Sequence, residues 1–266
     1  YDFQYETGKL TITPLALTVK ASDKMRLYGQ DNGTFVGAVV AGMLAAGDTL
    51  GHLNITTPAT HASDAGSYAI AVNPAGVTFG AGSHAKAGDY TITTQSGTLT
   101  VIPRPLTLYA GRKTRAYGAA NSTAQYAPGS SKFRADGLVN GDTIRDVQEY
   151  IDANATLTAD AGTPNLAVSL LDAGGNAHLV FGKGKASNYA ISYVDGKFSI
   201  LPRLVYIGVK DASRKYGEPN PAATAYVQAP TEDTGLVFGA QIIGLSASYD
   251  ASMGARASAG KHAGVI

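Results

Sequence analysis

The sequence predicts an all-β protein that consists of similar modules in tandem. Three observations lead to this prediction: one short motif recurs, apolar and polar residues alternate near it, and glycine-rich turn sequences separate the alternating runs. The motif reads "RLYG" at 26–29, "RAYG" at 115–118 and "RKYG" at 214–217. Self-similarity at a fixed period is the sequence signature of a repeat architecture.

A second landmark has the same spacing and sets the expected module boundaries. The segment "GKLTITP" at 8–14 returns as "GTLTVIP" at 97–103 and as "GKFSILP" at 196–202. We therefore expect two whole modules at 15–103 and 104–202 and an incomplete third module at 203–266. Residues 1–14 are expected to be the closing hairpin of a preceding module, so the chain is interpreted as a piece of a longer repetitive protein.

Each module is expected to open with a strand. The opening runs "LALTVKA" at 15–21, "PLTLYAG" at 105–111 and "LVYIGVK" at 204–210 alternate with period two, as half-buried strands do. Short strands, frequent turns and about 90 residues per module favour an immunoglobulin-like antiparallel β-sandwich. The alternative is a β-grasp-like α+β module with one short helix.

Each module is also expected to close with a β-hairpin. In the closing segment at 189–202, Asp195-Gly196 suits a type I′ turn, in which both central residues need a positive φ. This turn predicts that Tyr193 lies opposite Phe198 on an apolar face.

One segment indicates a helix, and the joints between modules indicate stiffness. In "DTIRDVQEYIDA" at 142–153, Ile144, Val147 and Ile151 have helical spacing. The closing strand of one module leads into the next through "TPL", "IPRPL" or "LPRL". Because such short, proline-bearing joints are stiff, the modules are expected to form an extended rod.

Composition excludes several classes of partner. The chain has 21 basic and 20 acidic residues and a formal net charge of +1, so no overall field favours nucleic acid or an anionic membrane. It has no Cys, which excludes disulfides, Cys-ligated zinc and a thiol nucleophile. The apolar stretch at 35–47 is too short to cross a bilayer, and no signal peptide is recognised. We expect neither nucleic-acid binding nor membrane insertion.

No catalytic constellation is found, so the chain is not expected to be an enzyme or to need a cofactor. The five histidines, at 52, 61, 84, 178 and 262, are isolated, and the "FGAG" and "FGKG" segments lack the helix that a phosphate-binding loop requires. Asp48 and Asp142 are interpreted as turn-capping residues. Calcium between modules is the remaining metal candidate, through Asp23, Asp31 and Asp195.

The repeated tyrosine and glycine are interpreted as a structural signature. Each Tyr is expected to anchor a strand end, and each Gly to turn the chain with a positive φ. The pairs are Tyr28 with Gly29, Tyr117 with Gly118, and Tyr216 with Gly217.

The repeated arginine leaves two interpretations open. It either packs along the Tyr ring or charges an edge strand, or it belongs to a basic row that binds an anionic glycan weakly many times. The residues of that row are Arg26, Arg115, Arg214, Lys24, Lys113 and Lys215.

These segments together resemble a known family. The sequences "LTVKASDKMRLYG" at 17–29, "GLVNGDT" at 137–143, "NYAISYVDGKFSI" at 188–200 and "KDASRKYGEPNP" at 210–221 resemble the MBG/YDG-type repeats of large bacterial surface exoproteins, including filamentous-haemagglutinin-like and biofilm-matrix adhesins. The first module departs from the pattern with "GQDNGT", and the third with "GAQ" in place of "GDT".

The resemblance implies an extracellular, non-enzymatic repeat region at a bacterial cell surface. The favoured function is a stalk that projects a binding region, with neighbouring modules of the same protein as partners. The alternative is that the repeats themselves bind polysaccharide or a host or matrix surface. A further expectation is strand complementation, in which residues 1–14 of one molecule complete the third module of another.

Overall fold

A computed structural model describes residues 1–86, 88–122, 125–126 and 133–261 of the chain. The chain divides into two compact units, which are treated separately. Unit 1 comprises Tyr1–Thr107, Ala135–Ile144 and Phe181–Ser192, and unit 2 comprises Leu108–Arg134, Arg145–Val180 and Tyr193–Ile266.

Strands account for nearly all regular structure in the described residues. The first module contains β1 (Leu15–Ala21), β2 (Lys24–Leu27), β3 (Gly37–Gly42), β4 (Leu50–Thr56), β5 (Gly66–Phe79), β6 (Tyr90–Gln95) and β7 (Gly97–Ile102). The second contains β8 (Arg104–Ala110), β9 (Lys113–Ala116), β10 (Gln125–Tyr126), β11 (Phe133–Asp136), β12 (Thr143–Gln148), β13 (Tyr150–Ile151), β14 (Ala167–Ser169), β15 (Leu179–Lys183), β16 (Tyr189–Val194) and β17 (Gly196–Leu201). The third contains β18 (Ile207–Val209) and β19 (Ala225–Val227).

The first module has two sheets, in the strand orders β3-β1-β6 and β2-β7-β5-β4. The opening strands β1 and β2 run parallel to the closing strands β6 and β7. The other pairs are antiparallel. Leu17, Val19, Ile70, Leu99 and Val101 form the buried core of these strands.

The second module repeats this arrangement. Its sheets have the orders β11-β8-β16 and β13-β14-β17-β9, with a further sheet β10-β12-β15. The strands β17 and β9 pair in parallel, as β7 and β2 do. Leu166, Val168, Phe198 and Ile200 form a buried cluster in unit 2. The parallel pairs make the first and second modules mixed rather than purely antiparallel structures.

The predicted closing hairpins are wrong, because the two strands of each closing segment belong to different sheets. β6 pairs with β1, whereas β7 pairs with β2 and β5. The glycine between them serves a close approach: a Cβ at Gly97 would lie 2.5 Å from the carbonyl oxygen of Ala21. Neither Asp195 nor Gly196 has the positive φ of a type I′ turn. Residues 1–14 form no strand and are exposed.

The predicted helix at 142–153 is also wrong, because this segment forms β12 and β13. Ile144 and Val147 are buried three residues apart. In the corresponding strand of the first module, the pairing register shifts between Leu50 and Leu53. An irregular strand of this kind changes the apolar spacing from two to three and so imitates a helix.

The all-β prediction is confirmed. Helical structure in the described residues is limited to two 3₁₀ turns, Ala186–Asn188 and Ala251–Met253, so the helix of the β-grasp-like alternative is not observed there. Over the same residues, no helix has the length and apolar character that crossing a bilayer requires.

Candidate functional site

The arginine of each motif fastens a loop of its own module. Arg26 Nε donates to Asn32 Oδ1 at 2.8 Å, and its Nη2 donates to the carbonyl of Thr60 at 2.5 Å. Arg115 makes the same bonds to Asn121 and Thr156 at 2.8 and 2.5 Å. In the third module, Arg214 Nε donates to Asn220 Oδ1 at 2.6 Å. The Asn side chain in turn donates to the same loop, at the carbonyls of Ala59, Ala155 and Met253.

This geometry differs from the predicted basic row. Arg26 is only 5% exposed and Arg115 only 8%, and burial lowers the pKa of both guanidinium groups. Their donors already bind carbonyls and an Asn side chain, so they are not presented to a ligand at the surface. The reason is strand alternation, since Arg26 shares the buried face of its strand with Tyr28. Arg214 is half-buried and hydrogen-bonded in the same way.

The lysines of the row lie nearer the surface but do not act alike. Lys24 Nζ donates to the carbonyl of Thr34 at 2.7 Å, and Lys215 is exposed. Lys113 Nζ lies 2.8 Å from Glu149 Oε2, and Glu149 is completely buried. A buried carboxylate is costly unless a cation lies close to it. Lys113 therefore stabilises the buried Glu149 inside its own module.

The tyrosine of the first motif lies against the second module. Tyr28 is 3% exposed, and its hydroxyl donates to Asp142 Oδ2 at 3.0 Å. The same carboxylate oxygen accepts the hydroxyl of Tyr189 at 2.7 Å, and the two rings meet edge to face at 5.5 Å. Burial raises the pKa of both tyrosines, so both hydroxyls stay protonated and can donate. We call this contact the first joint.

The glycine of the motif permits the close approach at the first joint. Gly29 has a φ of 80°, and a Cβ at this position would lie 2.5 Å from Val139 Cγ2. Any larger residue would therefore separate Tyr28 from Asp142. Val139 belongs to the Gly-Leu-Val segment that recurs in the middle of the second and third modules.

A polar contact flanks the first joint. Asn188 is fully buried; its Oδ1 accepts the backbone N–H of Ala65 at 2.8 Å, and its Nδ2 donates to Asp64 Oδ1 at 2.8 Å. Lys185 Nζ lies 2.5 Å from Asp64 Oδ2. These bonds hold the loop at residues 64–65 of the first module to the turn at 185–188 of the second.

The second motif makes an equivalent contact, which we call the second joint. The ring of Tyr117 meets that of Phe238 edge to face at 5.7 Å. A Cβ at Gly118, whose φ is 74°, would lie 2.7 Å from Val237 Cγ2. Arg203, in the linker between the two modules, donates to the carbonyl of Tyr117 at 3.0 Å and to that of Gly235 at 2.9 Å.

The third motif has no such contact among the described residues. Tyr216 is 70% exposed, and the space around Gly217 is open although its φ is 88°. All three glycines thus have the positive φ that the turn prediction requires. The sequence did not predict which segment receives the Tyr-Gly pair. The available signal was the Gly-Leu-Val segment, which recurs with the same period as the motif.

The remaining chemical candidates have local roles. Asp48 accepts the hydroxyls of Tyr90 at 2.7 Å and Ser83 at 2.8 Å, so it connects distant segments of its module, and its turn-capping role stays a prediction. Asp23 accepts the backbone N–H of Thr98. No group of three or more acidic or His side chains suited to a metal ion is found in the part of the chain that the structure describes, and His262 lies outside that part. Calcium binding stays a prediction.

The Asp64 contact makes the first joint sensitive to acid. Lys185 and then Asn188 lower the pKa of Asp64 by hydrogen bonding. A carboxyl whose pKa is lower in the folded state stabilises the fold above its ordinary pKa of about 3.9, and this stabilisation is lost as the pH falls through the folded value. At pH 7 we expect the parent to have a larger free energy of unfolding than an Asp64→Asn variant. The difference between the two free energies is expected to become smaller below about pH 4. Urea unfolding at several pH values measures it, and a pH-independent difference would contradict it.

Comparison with family models identifies the repeats. The model of the MBG domain (YGX type) matches residues 17–100 and 106–199, which together are more than half of the chain. Searches of curated proteins and of solved structures gave no match. The Tyr-Gly pairs that form both joints lie inside the two matched ranges. The chain belongs to the MBG domain family of the YGX type.

Proposed function

We propose that this chain is a stalk region of a secreted bacterial adhesin, in which successive modules dock on one another and hold a binding region away from the cell surface. MBG domains are repeat modules of surface proteins. The spacer role is supported by one observation above all: the same Tyr-Gly contact joins the first module to the second and the second to the third.

The physical character of the joints supports stiffness. Neighbouring domains in one chain usually move relative to each other unless a substantial packed interface prevents it. At the first joint a buried tyrosine and a glycine whose Cβ would overlap a valine restrict rotation, and at the second joint an arginine in the linker does so. The linker itself contributes, because Ile102-Pro103-Arg104 connects a closing strand directly to an opening one.

The use of the polar groups favours a spacer over a glycan-binding row. The guanidinium groups of Arg26 and Arg115 stabilise loops, and the Asp142 carboxylate binds two tyrosines. These polar side chains form hydrogen bonds within the protein, so they are not available to bind a glycan at its surface.

Small-angle scattering at low concentration tests the proposal, with variants that disturb the joints. In the variant Gly29→Ala with Gly118→Ala, each new methyl group overlaps a valine. Gly217→Ala is the matched control, because its φ is equally positive but the space around it is open. We expect an extended profile for the parent and the control, and increased flexibility for the double variant. A compact parent, or a double variant identical to the parent, would refute the stalk.

A further inference from the structure

The tyrosines of the first two motifs dock on the same kind of turn. We call it the receiving turn: residues 137–142, "GLVNGD", in the second module and residues 235–240, "GLVFGA", in the third. In each turn the N–H of the last residue donates to the valine carbonyl, at 2.9 Å for Asp142 and at 3.1 Å for Ala240. The two residues before it have positive φ in both turns, 57° and 68° in the second module and 56° and 72° in the third. The two backbones therefore match, and the turns differ at their fourth and sixth residues.

In the second module both of these residues are polar. Asp142 is only 7% exposed, and its carboxylate accepts the hydroxyl of Tyr28 at 3.0 Å. Asn140 is a residue type that tolerates a positive φ. Its side-chain amide donates to the carbonyl of His61, in the first module, at 3.5 Å. This receiving turn thus binds polar groups of the preceding module, above all the hydroxyl of its tyrosine.

In the third module both of these residues are apolar. Ala240 offers no side-chain acceptor, and among the described residues the hydroxyl of Tyr117 has no hydrogen bond. Phe238 instead meets the ring of Tyr117 edge to face at 5.7 Å. A Cβ at Gly118 would lie 3.2 Å from Cε2 of the same phenylalanine. This receiving turn thus binds the ring of the tyrosine and the glycine beside it.

The backbone of Phe238 is a second, independent observation. Its φ of 56° is a left-handed conformation that a bulky side chain rarely adopts, and such a conformation persists only where surrounding contacts enforce it. The ring is half-exposed, and its contacts are those with Tyr117 and Gly118. Asn or Gly would adopt this backbone at little cost. A strained aromatic residue in their place indicates that the ring itself is required at the joint.

We propose that the fourth and sixth residues of the receiving turn determine how a module binds the tyrosine of the module before it. Asn140 with Asp142 form a polar joint that binds the hydroxyl, whereas Phe238 with Ala240 form an aromatic joint that binds the ring. The two residues of each turn act as a set. This inference rests on the proposed function, because it concerns the same joints, and it adds which residues specify each of them.

Removal of one oxygen atom distinguishes the two kinds of joint. Tyr28→Phe and Tyr117→Phe keep the ring at equivalent positions of the motif. Protection of the Asp142 and Ala240 amides from hydrogen exchange measures how often each turn opens, because both amides make the same bond. Tyr28→Phe is expected to lower the protection of the Asp142 amide about tenfold, since a hydrogen bond to a charged group is lost. The matched variant Tyr117→Phe is expected to change the protection of the Ala240 amide by less than about twofold.

Exchange of the two turn residues tests the assignment itself. Phe238→Asn with Ala240→Asp gives the third module the polar pair. Tyr117 and Ala240 line one cleft, so the new carboxylate enters the space beside the tyrosine. In this exchanged chain Tyr117→Phe is expected to lower the protection of the amide of residue 240 about tenfold. Equal losses for Tyr28→Phe and Tyr117→Phe in the parent, or no effect of Tyr117→Phe in the exchanged chain, would overturn the proposal.

A comparison that needs no exchanged chain tests the strain at Phe238. Phe238→Asn relieves the positive φ but removes the ring contact, whereas in a Tyr117→Ala background only the relief remains. The change in protection of the Ala240 amide is therefore expected to be more favourable in that background by at least about threefold. The same change in both backgrounds would contradict the proposal.

Scattering separates the failure of this proposal from that of the stalk. An extended parent in which Tyr28→Phe and Tyr117→Phe cause equal losses retains the stalk and overturns the two kinds of joint. A compact parent with unequal losses refutes the stalk and supports the two kinds of joint.

Discussion

Replacement of Tyr28 by Ala is expected to lower the free energy of unfolding by about 3–5 kcal/mol, the usual cost of truncating a large buried aromatic side chain. The ring of Tyr28 is buried against Tyr189, and its hydroxyl is bound to Asp142. Its removal leaves a cavity and takes one of two tyrosine donors from a buried carboxylate. Urea-induced unfolding followed by circular dichroism measures the loss.

Tyr216→Ala is the matched control for this experiment. It changes the same position of the same motif, but the side chain is exposed. At low concentration its effect is expected to stay within about 0.5 kcal/mol, as for most surface substitutions. Equal losses in the two variants would mean that the tyrosine stabilises its own module alone, and that the joint contributes nothing.

Replacement of Arg115 by Ala is expected to cost about 2–4 kcal/mol, because several partly buried acceptors lose a charged donor at once. Asn121 Oδ1 and the carbonyls of Ala116 and Thr156 all accept from this guanidinium group, which also lies over the ring of Phe198. Native-state hydrogen exchange is expected to show the loss in β9 and β17, the strands beside the arginine.

Two further variants give this prediction its specificity. Arg112→Ala removes an exposed arginine from the same segment and is expected to be nearly neutral. Arg115→Lys keeps the charge but has no planar fork of donors, so it is expected to retain only a small part of the stability. Full stability in Arg115→Ala would contradict a structural role and would restore the basic row as an explanation of the motif.

The recurrence of the motif has a physical explanation in these contacts. Arg holds the loop of its own module, Tyr reaches the next module, and Gly lets the two backbones approach. The three residues lie close together in the sequence because the end of one strand must both hold a loop of its own module and contact the next module. An Asn six residues after each Arg belongs to the same unit.

Local features of the fold were predictable from the sequence. Alternation identified the opening and closing strands of the first two modules, and the repeated motifs identified the family of these repeats. The positive φ of Gly29, Gly118 and Gly217 also follows from the motif. These predictions succeed because each depends on a few neighbouring residues.

Features that depend on distant partners were not predictable in this way. An alternating segment with Asp195-Gly196 at its centre has the same pattern whether its halves pair together or enter two sheets. Arg26 has the same local sequence whether its strand face is exposed or covered. The Gly-Leu-Val segment recurs visibly, but the period does not reveal that it receives the tyrosine of the preceding module.

The distribution of distances between the first two modules tests the docked joint most directly. The chain has no Cys, so spin labels can be attached at cysteines introduced at the exposed residues Thr56 and Ala190, which both belong to unit 1, and measured by double electron–electron resonance. A rigid first joint predicts a narrow distribution that broadens when Tyr28→Ala is added to the labelled chain. A broad distribution in the parent, or one that Tyr28→Ala leaves unchanged, would contradict it.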